Sequence, residues 1–402
     1  MQISRNWIPE LLRMKLKIRL VFLLLALLTL ISTAVVLPWQ DRLTPAQAAE
    51  QIAVSCQTHL NQDCLARQFS TITSQRRIDF AFAALAEIQK TDGPARDCHF
   101  IAHSIAAAEV KADPDNWQTV LNKLCPTSCS YGCSHGVLEE YAALQGRDLS
   151  DEDLLSACNE DSPPSCPHGI GHLLLVQTGN RIDESIAQCH KLKNRGETIF
   201  QCVSGVFMEN STPVNLIQHG LVAPPMPKSV SRIPELEETC RGYRGIDAVA
   251  CWQELAPPVL QQGGFKPDTI KYCDGLPDRY STRVCQIRMV DTYAWNQNYN
   301  VLASAQVCTA QAGNGFADLC STMVAQSIMD NLPSAAPDLA RYCLTLGLNQ
   351  KSDCFKVIGN NFRNKPDLGQ ELWDSACSQV TEDLNKICRA GGDVSYRELP
   401  PL

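Results

Sequence analysis

Ten cysteines of this chain recur at steps of 34, 35, 33, 36, 49, 34, 35, 34 and 34 residues, from Cys64 through Cys98, Cys133, Cys166, Cys202, Cys251, Cys285, Cys320 and Cys354 to Cys388. A fixed period of this size marks stacked helical hairpins, each too small to bury its own apolar face and completed by its neighbours. The 402 residues exceed the ~250–300 at which one compact core stops growing, a limit that an elongated array escapes.

A second series lies 8 to 13 residues ahead of the first: Cys56, Cys125, Cys158, Cys189, Cys240, Cys273, Cys308, Cys343 and Cys377. Turn formers separate the two series. Between Cys273 and Cys285, Gly275 and Pro277 break the chain, so a helix ends near Cys273 and a second begins near Thr282. Each repeat therefore reads as helix A, turn, helix B, with a disulfide clamping the end of A to the start of B. The expected pairs are Cys56–Cys64, Cys125–Cys133, Cys158–Cys166, Cys189–Cys202, Cys240–Cys251, Cys273–Cys285, Cys308–Cys320, Cys343–Cys354 and Cys377–Cys388. Cys98 and Cys129 remain and most simply pair with each other. The expected fold is all-α: a right-handed solenoid of about ten stapled hairpins. The period equals that of tetratricopeptide repeats, but the Trp, Leu-Gly and Tyr pattern of that class is absent.

Such a cysteine set belongs in an oxidising compartment, where it forms disulfides rather than metal clusters. The N-terminus offers the export signal. Arg13, Lys15, Lys17 and Arg19 precede an uncharged apolar run over residues 20–37, closed by Pro38 and Trp39. The run is near the lower limit for spanning a bilayer, and the basic flank keeps the N-terminus inside. A retained single-pass anchor, with the C-terminal part periplasmic or outside, and a signal cleaved near Ala46-Gln47-Ala48 are the two readings. The net charge of −8 argues against nucleic acid as a partner.

The expected organisation is a basic segment over residues 1–19, a membrane segment over 20–38 and a linker over 39–50. Hairpins follow over 51–209, then a Pro-rich insertion over 210–235 in place of regular helix, more hairpins over 236–390, and a tail over 391–402. The insertion carries Pro213, Pro224, Pro225, Pro227 and Pro234 and is expected to be a surface loop or a lid.

Five of the eight histidines fall on three consecutive B helices: His99 and His103, then His135, then His168 and His172. Aligned two residues after each B cysteine stand His135, His168, Ser204, Gln253, Ile287, Thr322 and Lys356; six after stand Glu139, His172 and Met208. The scaffold persists to the end of the chain while the histidines stop, so they are not needed to hold a hairpin. Residues four apart share a helix face, and imidazole with carboxylate suits Zn, Fe or Cu. The expected ligands are His99, His103, His135, Glu139, His168 and His172. Gly136, Gly169 and Gly205 are expected to let helices pack closely. The His99–His103 pair sits one residue early in this alignment and joins only if its hairpin is rotated.

Two functions from different classes follow. One is a metal-binding protein of the cell envelope; if catalytic, it is a metal-dependent hydrolase, with Glu139 or Glu140 as general base, or an oxidoreductase. The other is a metal-free scaffold whose surface organises envelope proteins. His59, His190 and His219 are isolated, and His190 is at most a supporting residue.

Overall fold

The computed structural model describes residues 43–56, 62–90, 98–126, 129, 132–145, 150–158, 162, 166–192, 196–211, 233–309, 316–365, 368–378, 380–392 and 394. Among them the fold is all-α, with no strand. The first hairpin is α1 (Pro45–Ser55) with α2 (Gln62–Arg76), and the second is α3 (Ile78–Ile88) with α4 (His99–Ala112). In the third, the A segment widens into a π-helix (Val120–Leu124) and leads to α5 (Gly132–Gln145). There follow α6 (Asp151–Ala157) with α7 (Cys166–Gln177), α8 (Ile182–Cys189) with α9 (Gly196–Ser211), and α10 (Ile233–Gly242) with α11 (Gly245–Gln262). A 3₁₀ segment (Pro267–Gly275) pairs with α12 (Arg279–Asn296). The last three hairpins are α13 (Val301–Thr309) with α14 (Ala317–Asn331), α15 (Ala336–Leu344) with α16 (Leu348–Asn364), and α17 (Gln370–Cys377) with α18 (Glu382–Ala390).

The B helices stack in chain order, α2 on α4, α4 on α5, α5 on α7, α7 on α9, and so on to α16 on α18. Their facing sides form one continuous apolar core, from Phe69, Ile101 and Leu138 through Phe200, Trp252 and Met289 to Phe355. The ten disulfides are Cys98–Cys129 and the nine within-hairpin pairs that the spacing requires. No cysteine is free.

Three boundaries differ from the sequence reading. Residues 45–50, expected in the linker, are already helical, because Thr44 and Gln47 form a capping box and Pro45 occupies the first turn. Residues 210–211 and 233–235, expected within the insertion, belong to α9 and α10; Pro234 fits the first turn of α10, where its missing N–H costs nothing. The helix after Cys273 starts at Arg279 rather than near Thr282, because the Asp278 carboxylate accepts from the Tyr280 and Ser281 N–H groups. The rest of the insertion, His59 and His219 lie outside the described residues. So does the apolar run over 20–37; among the described residues no helix is long and apolar enough to cross a membrane.

Glycines set the spacing that the site needs. A Cβ on Gly136 would overlap the backbone carbonyl of His103, and one on Gly205 would overlap that of His168. The two helix pairs α4/α5 and α7/α9 therefore approach backbone to backbone, which brings side chains flanking these glycines within reach of the next helix.

Candidate metal centre

The close helix contacts gather all five histidines. His135 lies at the centre, its ring centroid 5.2 Å from those of His99, His103 and His168 and 4.7 Å from that of His172. His103, His135, His168 and His172 are buried, and His99 is half-buried. Two sets of three rings each place one nitrogen apiece within 4.8 Å of the others: His99, His103 and His135, and His135, His168 and His172. The alignment that set His99 and His103 one residue early is absorbed by the second hairpin. That hairpin lacks a disulfide of its own and is tied to the third through Cys98–Cys129.

Each outer ring is oriented by its Nδ1 or by the backbone. His99 Nδ1 lies 3.2 Å from the Cys129 carbonyl, on a residue held at φ 62° by the bridge to Cys98. His103 Nδ1 lies 3.2 Å from Glu139 Oε2, and His172 Nδ1 lies 2.6 Å from Glu209 Oε2. His168 is hydrogen-bonded to the Gln201 backbone. This is the arrangement in which a histidine ligand is fixed through one nitrogen while presenting the other. The presented atoms converge. His99 Nε2 and His103 Nε2 are 3.1 Å apart. Two nitrogens on one tetrahedral ion at bond lengths of ~2.0–2.1 Å are about 3.3 Å apart, so the pair fits a chelate. His135 Nε2 and His172 Nε2 are buried without a hydrogen-bond partner among the described residues, which is costly unless something else meets them.

Burial and the neighbouring imidazoles hold His135 well below its ordinary 6.5, and burial with the adjacent His172 does the same to His168. Both rings are thus neutral, the form that binds metal. Burial and the Glu209 charge push Glu139 well above the ordinary carboxyl range. Glu139 therefore keeps its proton to higher pH than an ordinary carboxyl.

Of the six expected ligands, the five histidines converge, while Glu139 lies behind His103, at 3.2 Å from its Nδ1. Glu140 is half-buried and, among the described residues, makes no hydrogen bond to the imidazoles. His190 is elsewhere, paired with Asp247 at 2.9 Å. Glu209 was not anticipated. It is seven residues after Cys202, whereas the alignment examined the sixth, Met208. The polar line continues beyond the histidines as ordinary hydrogen bonds and ion pairs: Ser204 donates to Glu254 at 2.7 Å, and Arg288 meets Glu254 at 3.5 Å and Asp291 at 3.0 Å.

The chain is thus a cysteine-rich, disulfide-bonded helical protein with histidine clusters able to hold metal. No protein-family description, curated protein or solved structure matches it.

Proposed function

We propose that this is an extracytoplasmic metal-binding protein, built as a right-handed solenoid and either anchored through residues 20–37 or released by cleavage. The cluster holds a transition metal, Zn, Fe or Cu. The observation that carries the reading is the convergence of four oriented imidazoles on His135, with both triads backed by a buried carboxylate. Structural histidines would be satisfied one by one; His135 and His172 each keep a buried nitrogen without a hydrogen-bond partner among the described residues. The disulfide complement supports an oxidising compartment, since twenty paired cysteines do not persist in a reducing cytosol.

In this reading Glu139 and Glu209 tune imidazoles and are not general bases. The face of the stack away from the cluster remains a surface for envelope protein partners, and the acidic net charge disfavours nucleic acid. Equilibrium dialysis of the chelator-stripped full chain against Zn(II), Fe(II) and Cu(I) tests the proposal. Uptake near stoichiometry, abolished by His135→Ala, is expected. Failure to take up any of the three, with intact disulfides, returns the chain to the scaffold reading.

A further inference from the structure

One contact of the second triad involves a soft atom. His168 Nε2 lies 3.3 Å from Met208 Sδ. Met208 stands on α9 at the alignment position that holds Glu139 on α5 and His172 on α7. A neutral imidazole carries one N–H. In the tautomer with its proton on Nδ1, His168 turns the Nε2 lone pair toward that of the thioether. Two lone pairs at this distance are not a hydrogen bond, but they are two ligands of one ion.

We propose that Met208 is a ligand of the second triad, and that His135, His168, His172 and Met208 form a site selective for Cu(I). This rests on the metal reading above and adds the metal's identity. Thioether sulfur binds Cu(I) in preference to Zn(II) or Fe(II), for which imidazole alone suffices. Charge points the same way. Arg288 Nη2 lies 3.9 Å from the Met208 sulfur, and its fixed positive charge repels a divalent ion about twice as strongly as a monovalent one at equal distance. Glu209, hydrogen-bonded to His172, supplies the compensating negative charge on the opposite side of the triad. The first triad, His99 with His103 and His135, has nitrogen ligands only and lacks this preference.

The test uses the full chain with disulfides intact, wild type and Met208→Leu, titrated with Cu(I) kept reduced by ascorbate and separately with Zn(II). The substitution preserves volume and removes the sulfur. Cu(I) affinity is expected to fall about tenfold or more, while Zn(II) affinity changes by less than about threefold. X-ray absorption of the copper-loaded wild type supplies a reading that does not depend on the variant folding. With no free cysteine, a sulfur shell around copper can come only from methionine. An unchanged Cu(I) affinity in the variant, equal losses for both metals, or copper with nitrogen neighbours alone overturns the inference while leaving Zn(II) uptake, and hence the metal reading, standing. Uptake of neither metal by the wild type overturns both.

Discussion

His135 belongs to both triads, so a change there reaches every imidazole at once. Its neighbours are polarised by carboxylates: removing that polarisation at Glu209→Gln is expected to weaken metal binding about 10–100-fold, as loss of a partner behind a histidine ligand typically does. Competition against a chelator of known affinity measures it. The titrations carry opposite signs. His135 and His168 have folded values below 6.5, so the unfolded chain binds more protons on the acid side, and the metal-free protein loses stability as pH falls from 6.5 toward the folded values. Glu139 has a folded value above 4.5, so its contribution is present at low pH and is lost as pH rises through that folded value. Thermal unfolding of metal-free Glu139→Gln isolates the first effect: its midpoint should drop on acidification below pH 6.5, and adding His135→Leu should flatten that drop. The five histidines were legible because they stood out against a scaffold that continued without them. Glu209 was not, because one residue along a helix turns about 100° and the alignment by cysteines fixed a single register. The offset of His103, five rather than six residues after its cysteine, was the signal that registers here shift by one.

At the level of elements, the glycines and one unusual bridge hold the helices where the rings meet. Gly136→Ala is expected to destabilise the fold by about 1–3 kcal/mol through overpacking against the His103 carbonyl, and to weaken metal binding by separating α4 from α5. Denaturant unfolding and dialysis report the two effects separately. Replacing Cys98 and Cys129 together by Ser removes a closed loop of 31 residues' separation, worth about 3–4 kcal/mol in the chain-entropy account. It should weaken the triad containing His99, whose Nδ1 donates to the Cys129 carbonyl, more than the triad containing His168. Hairpin boundaries were readable where Gly and Pro broke the chain between paired cysteines. They are harder to read where Pro opens a helix: Pro45 and Pro234 stand in the first turns of α1 and α10 rather than in linker and loop, and of these only α1 is marked in the sequence by a capping box, Thr44–Gln47.

Across the whole molecule, nine disulfides staple hairpins and a tenth ties the second to the third, while the stacked B helices supply the core; the two cysteine series together prescribed both the all-α class and the cysteine pairing. The period could not prescribe how near the helices approach, which Gly136 and Gly205 decide through backbone contact. Nor did it place a soft ligand, since a methionine at a helix position reads as core until its sulfur meets an imidazole. The proposed metal ion sits on His135 between two oriented pairs of imidazoles. Crystals of the metal-loaded full chain, measured at the absorption edge of the bound metal, test it directly. An anomalous peak at ~2.0–2.1 Å from a nitrogen of His135, and from nitrogens of His168 and His172 or of His99 and His103, is the expected result. A loaded crystal with no peak among these five rings would contradict it.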